Sequence, residues 1–214
     1  MMSYGPWEIK SKIQPVGLVQ VDQAEGLTDI HRSGCAAALW TRQPMASFER
    51  WITGLDPSVL PKARLILRPA AVQDAVRQIC ELRGTPEGSN RERLINDIAA
   101  LADIFGAIMQ ADWLRLRLDI VTTNACRKFH IDAVSARLVC TYRGTGTQYG
   151  TRNSSRDPQD IFTVPTGSPI ILRGTKWPES PPAALAHRSP PIEGKDETRL
   201  LLVLDPVTDP TKDD

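Results

Sequence analysis

Histidine is scarce in this chain, with three among 214 residues, and cysteine nearly so, with four. Cys35, Cys80, Cys126 and Cys140 stand far apart and never as a CxxC pair, which disfavours a zinc ribbon or a thioredoxin-like redox pair. Reduced thiols in a cytoplasmic protein fit that spacing best. No apolar run approaches the length of a membrane span, and the opening MMSYGPWEIKSK has no signal-peptide core. A surplus of one charge sign is missing too. The formal net charge is +1, which argues against a general electrostatic grip on nucleic acid or an anionic membrane. Short basic clusters, Arg115 with Arg117 and Arg127 with Lys128, are interleaved with apolar residues and read as solvated strand faces.

Two textures divide the chain. Residues 1–112 read as mainly helical, 113–205 as a β core, and 206–214 as a flexible acidic tail, the first two forming one domain. The alternating run Val16 to Val21 suggests an edge strand. CAAALW and SFERWI read as helical pieces separated by Pro44. AAVQDAVRQICELR predicts an amphipathic helix closed by Gly84. The strongest helix begins at Ser89, where Ser89 and Glu92 form a capping-box pattern. Leu94, Ile98, Leu101, Phe105 and Ile108 then recur at helical spacing and predict one broad buried face. After Trp113 the period changes to two. LRLRLDIVTT, ARLVCTY, TQYGT, DIFTVP, SPIILRG, AALAHRS and RLLLVLD read as strands, with turn-rich RGTGT, RNSSRDP and GTKWPESPP between them. Many short strands predict a barrel or jelly roll.

Chemistry concentrates in the β part. His130-Ile131-Asp132 places two ligand-type side chains on one side of an extended segment. His187 follows inside a predicted strand, and Arg199 opens the last strong strand. Two imidazoles and one carboxylate on one face of a metal leave positions open, the facial triad suited to Fe(II) and oxygen. Each piece has an ordinary reading as well. His130 could be a buried histidine satisfied by Asp132, and His187 could mark an exposed strand edge. Arg199 could pair with Glu197 or Asp205, and Trp177 could line a substrate mouth or anchor its loop. Cys126 and Cys140 flank the motif, where a thiolate would favour zinc, although a cysteine near a strand is more often a small buried hydrophobe. Trp40, Trp51 and Trp113 read as packing residues, and His31 as structural or exposed.

The order FHIDAVSARLVCTYRG, GSPIILRG, LAHRSPPIEGKDETRLLLVLD resembles the signature of the 2-oxoglutarate and Fe(II)-dependent oxygenases. Pro190, Pro191, Gly194 and Arg199 complete the phrase after the second histidine. From about Cys35 to Asp205 the chain more closely resembles the bacterial family catalogued as domain of unknown function 1826, on CRKFHIDAVSARLVCTYRGTGTQ and HRSPPI…ETRLLLVLD. The broader resemblance implies an α+β fold, a C-terminal double-stranded β-helix with N-terminal helices packed on the sheet. It implies that His130, Asp132 and His187 hold iron and that Arg199 binds the distal carboxylate of 2-oxoglutarate. A hydroxyl group usually assists that arginine, and Tyr142, Thr141 and Thr123 are the candidates. Arg137 would stand behind the ligands or anchor substrate. Arg143 and Arg188 read equally as surface residues. The function implied is hydroxylation of a small molecule or amino acid, with no nucleic-acid or membrane partner. Two alternatives stand beside it: a cupin-like iron dioxygenase that does not use 2-oxoglutarate, and a zinc or iron sensor or metallochaperone without turnover.

Overall fold

Leucines at every second position build the main layer. Leu114, Leu116 and Leu118 are fully buried on one side of a strand whose intervening residues are only partly covered. A computed structural model describes residues 15–152, 157–179 and 184–211. In chain order the elements are β1 (Leu18–Val21), β2 (Ala37–Trp40), α1 (Ala46–Gly54), β3 (Ala63–Leu67), α2 (Val72–Arg83), α3 (Ser89–Met109), β4 (Trp113–Val121), β5 (Ala136–Arg143), β6 (Gln148–Thr151), β7 (Phe162–Thr163), β8 (Pro169–Arg173), β9 (Leu185–Arg188) and β10 (Arg199–Val207). The fold is mixed α and β. A seven-stranded sheet runs β1-β2-β8-β5-β10-β4-β3, and a three-stranded sheet runs β7-β6-β9.

The helices cover one face of the large sheet. Leu94, Ile98, Leu101 and Phe105 of α3 pack there with Leu116, Leu138 and Leu202 of β4, β5 and β10. The opposite face of the large sheet looks toward the small one. Val139, Ile170 and Leu172 meet Tyr149 and Leu185 in a second, smaller core. Strand alternation therefore assigns every β5 and β10 side chain either to the helix side or to the space between the sheets.

Several local expectations change. CAAALW contributes strand β2, with Ala38 in the helix-side core and Ala37 and Leu39 in the other. A short apolar run buried on both faces carries no period that separates strand from helix. Ser89 and Glu92 form no capping box. Gly88, at φ 133°, is the N-cap of α3 and no side chain caps it, while the Glu92 carboxylate turns to Arg77 of α2 at 3.2 Å. Gly84 does close α2, at φ 69°. Of DIFTVP only Phe162 and Thr163 are strand. β3, unforeseen, forms one edge of the large sheet, and β1 the other. β10 runs on into the expected tail, pairing Pro206 with Leu114 and Val207 with Trp113. Residues 212–214 of that tail, and parts of RNSSRDP and GTKWPESPP, lie outside the described residues. Among the described residues no helix is long and apolar enough to cross a membrane.

Candidate metal centre

His130 and His187 are brought together by the backbone. Each donates its N–H to the other's carbonyl at 3.0 Å, an antiparallel bridge beside β9. Their rings then lie 4.5 Å apart between centroids. Asp132, two residues on, turns its carboxylate to both imidazoles. His187 Nε2 stands 3.1 Å from Oδ2, and His130 Nε2 stands 3.5 Å from Oδ1. Ligand atoms of all three lie within 4.8 Å of one another, the one such group of His, Cys, Asp and Glu among the described residues. The Lys128 carbonyl lies 3.0 Å from His130 Nδ1. A carbonyl can only accept, so Nδ1 carries a proton and Nε2 is the nitrogen left to face a metal, while hydrogen bonding to Asp132 raises the His130 pKa in the absence of one.

Asp132 is held from behind. Arg137 Nη1 lies 2.5 Å from its Oδ1, and the same guanidinium takes Asp205 with Nε at 2.6 Å and Nη2 at 2.8 Å. Burial would raise the Asp132 pKa, but the two imidazoles and Arg137 outweigh it and hold the carboxyl well below its usual range. Asp132 is therefore ionised at neutral pH. Its Oδ2 is nonetheless buried with no hydrogen bond, because the close approach of His187 lacks hydrogen-bond geometry. An orphaned, buried carboxylate oxygen beside two imidazole nitrogens matches the donor set of a 2-His-1-carboxylate iron site.

The Asp132 segment is also clamped by its main chain. Thr175 N–H donates to the Asp132 carbonyl at 2.8 Å, and Gly174 N–H to that of Ser135 at 2.8 Å. At Gly174 a Cβ would fall 2.0 Å from the Val134 carbonyl oxygen and 2.7 Å from that of Asp132. Gly174→Ala is therefore expected to push the Asp132 segment away and weaken Fe(II) binding by about tenfold or more. Calorimetric titration checks this, with circular dichroism to show that the fold remains; unchanged affinity would show that the segment yields without cost.

Arg199, the first residue of β10, is 1% exposed. Its Nε donates to the Thr145 carbonyl at 2.6 Å and its Nη2 to Thr141 Oγ1 at 3.3 Å. Nη1 is buried with no partner among the described residues. The alternative surface pairing with Glu197 or Asp205 does not form: Glu197 accepts from Thr145 N–H at 2.6 Å and from its hydroxyl at 3.0 Å, and Asp205 is taken by Arg137. Burial lowers the Arg199 pKa to about 10, against the opposing pull of Glu197. A buried cation without a carboxylate is costly unless something supplies one.

Of the candidate hydroxyl groups, the structure brings Thr141 to Arg199 and leaves two elsewhere. Tyr142 is adjacent on β5 and so points to the opposite, helix-covered face, where its hydroxyl donates to Asp97 Oδ2 at 2.6 Å. Thr123 is exposed in the loop after β4. Neither cysteine sulfur belongs to the triad: Cys126 is exposed, and burial on the helix side pushes the Cys140 thiol up to about 12. Arg143 donates to the Leu55 carbonyl at 2.7 Å. Arg188 donates to Gln148 at 2.9 Å and covers the Phe129 ring. Trp177 anchors its segment, its ring lying tilted at 39° and 5.3 Å from that of His31 and receiving Arg173 at 4.4 Å. His31 Nε2 lies 2.9 Å from the Ile108 carbonyl, a structural contact. Thr145 and Gly174 escaped the sequence reading as site residues, and their only signal was that each falls in a turn-rich piece, RGTGT and GTKWPESPP.

The sequence matches the profile of a family described as "Protein of unknown function (DUF1826)" over residues 21–205. No curated protein matches it in sequence. Among solved structures it is similar to the dioxygenase for auxin oxidation 1 from Arabidopsis thaliana, solved as a 2-oxoglutarate binary complex. That likeness has a TM-score of 0.56 and 12% identity, and spans 94% of this chain and 95% of that one. The dioxygenase for auxin oxidation in rice gives 0.49 and 12%, over 90% and 83% of the two chains. A prolyl-4-hydroxylase of Pseudomonas putida gives 0.45 and 12%, over 92% and 99%. At such identity the likeness is one of fold.

Proposed function

The chain belongs to the DUF1826 family, and we propose that this member is an Fe(II)- and 2-oxoglutarate-dependent oxygenase that hydroxylates a small molecule. Its two facing sheets are read here as a double-stranded β-helix, with the helices packed on the outer face. His130, Asp132 and His187 would hold the iron from one side. When bound, Fe(II) and 2-oxoglutarate would support the four-electron reduction of dioxygen, two electrons coming from oxidative decarboxylation of 2-oxoglutarate and two from the substrate C–H bond: one oxygen atom goes to the substrate and one to succinate, with release of carbon dioxide.

The chain's own residues prepare that chemistry. Arg137 fixes one Asp132 oxygen and leaves the other, orphaned oxygen for the metal. Arg199, with Thr141 beside it, would take the distal carboxylate of 2-oxoglutarate in a charge-assisted contact. The observation that carries the reading is the buried Arg199 guanidinium, whose Nη1 has no hydrogen-bond partner and which has no carboxylate ion pair among the described residues. A cupin-like dioxygenase has no need of that cation. A closed zinc site would need a fourth ligand, and neither Cys126 nor Cys140 stands in the group.

The test is an anaerobic titration of 2-oxoglutarate into Fe(II)-loaded protein. Chelation of iron by the keto acid is expected to give a visible charge-transfer band. Iron binding without the band would overturn the 2-oxoglutarate-dependent reading in favour of a cupin-like dioxygenase or of metal handling.

A further inference from the structure

A cavity of about 620 Å³ opens on the large sheet where the helices do not cover it, and its lining is strongly cationic. Leu114, Leu116 and Leu118 turn to the helix side, so Arg115 and Arg117 of β4 project from the other face with Arg137 of β5. Arg64 of β3 sits directly opposite Arg117 in the antiparallel register. Like charges facing each other across two strands lower stability. Lys176 adds a further cation to the wall.

A solvated basic strand face would leave these groups wet and spread apart. Here Arg64 stays exposed at the rim, but together with Arg115 and Arg117 it lines a concavity that is short of counter-charge. Arg117 has only 23% of its side chain exposed, and its Nε is buried without a partner. Asp205, the deep carboxylate of the cavity, is already gripped through both oxygens by Arg137 and approaches Arg117 only at 3.8 Å. Asp209, at the rim, accepts both the N–H and the hydroxyl of Thr211. Among the described residues neither Arg64 nor Arg115 forms an ion pair with a carboxylate. Burial, the charge of Arg137 and that of Arg64 lower the Arg117 pKa, while Asp205 and Asp119 oppose them. An incoming anion would relieve that repulsion.

The cavity borders the metal centre. Ala133, Val134 and Ser135, which follow Asp132 directly, form part of its wall. Arg137 contacts Asp132 on one side and lines the cavity on the other. The geometry points to a substrate that carries a carboxylate or phosphate group, anchored by Arg64, Arg115 and Arg117 on the far side of Arg137 from Asp132. The site's identity as a substrate site rests on the oxygenase reading; its affinity for anions does not.

Benzoate, phenyl phosphate and uncharged benzamide, titrated calorimetrically into the metal-free full-length protein, separate these points. At least one anion is expected to bind about tenfold or more tighter than benzamide. Arg64→Gln and Arg117→Gln should each weaken that anion by about fivefold to tenfold, with Arg117→Lys recovering most of the loss. Arg64 is exposed, so its replacement leaves the core intact. Preference for benzoate or for phenyl phosphate tells a carboxylate substrate from a phosphate one. Equal binding of benzamide, or no binding of either anion, overturns the proposal. So does anion affinity that survives the Arg64 and Arg117 substitutions but disappears in Arg199→Met, since the probe would then occupy the Arg199 site. Anion binding that tracks Arg64 and Arg117 in a protein with no keto-acid band would keep the anion site and remove the oxygenase.

Discussion

His187→Ala is expected to abolish Fe(II) binding at micromolar protein concentration, a loss of about 100-fold or more in affinity, or roughly 3 kcal/mol. The imidazole is one of only three side chains proposed to hold the metal, and no other His, Cys, Asp or Glu among the described residues joins that group. Its neighbour Arg188 is turned to Gln148 and Phe129, and the exposed Cys126 lies outside the ligand group. The backbone bridge between His130 and His187 is formed by main-chain atoms at 3.0 Å, so alanine keeps it. Folding should therefore survive, and the loss should be confined to the metal. His130→Ala and Asp132→Ala should act in the same direction. Asp132→Ala also strips Arg137 of one partner, yet Asp205 still holds that guanidinium through two contacts. Anaerobic calorimetry with Fe(II) checks all three, and any variant that keeps full affinity takes its residue out of the triad.

Arg199→Met is expected to leave iron binding intact and to weaken 2-oxoglutarate by about 100-fold, as loss of a charge-assisted, two-pronged contact in a buried site implies. Its effect on stability should run the other way. A cation whose folded pKa is depressed is penalised by folding over the whole range below that pKa. The fold regains stability only as pH rises through about 10 toward the unfolded arginine value. At neutral pH the penalty is therefore fully present in the protein without cosubstrate. Methionine fills similar volume without charge, at the cost of two lost hydrogen bonds, to Thr145 and Thr141. The variant is expected to melt no lower than the wild type when both lack 2-oxoglutarate. Wild type alone should then gain stability with 2-oxoglutarate, about 2.7 kcal/mol at a hundredfold excess over Kd. Melting curves with and without the cosubstrate read both effects. A sharp fall in melting temperature with unchanged cosubstrate affinity would make Arg199 a structural residue.

Much of this was legible along the chain because it is periodic or adjacent. The α3 stripe from Leu94 to Ile108, the alternation of β4, and the pairing of His130 with Asp132 depend only on helix and strand geometry. Glycine at position 84 likewise announces the left-handed end of α2. The order of the second histidine and the arginine was readable as well, since both fall at strand positions.

What the chain alone could not decide was which groups share a face and which charges find partners. Thr141 and Tyr142 are equally plausible in sequence, and only the direction of β5 relative to the helix layer sends one to Arg199 and the other to Asp97. CAAALW became a strand because sheet and helices cover it from both sides. Arg137 meets Asp205 across 68 positions, and that contact leaves Arg117, Arg115 and Arg64 short of counter-charge. Local pattern sets direction and period within a few residues. Pairing, burial and electrostatic compensation arise between segments distant in sequence, and tertiary packing alone determines them.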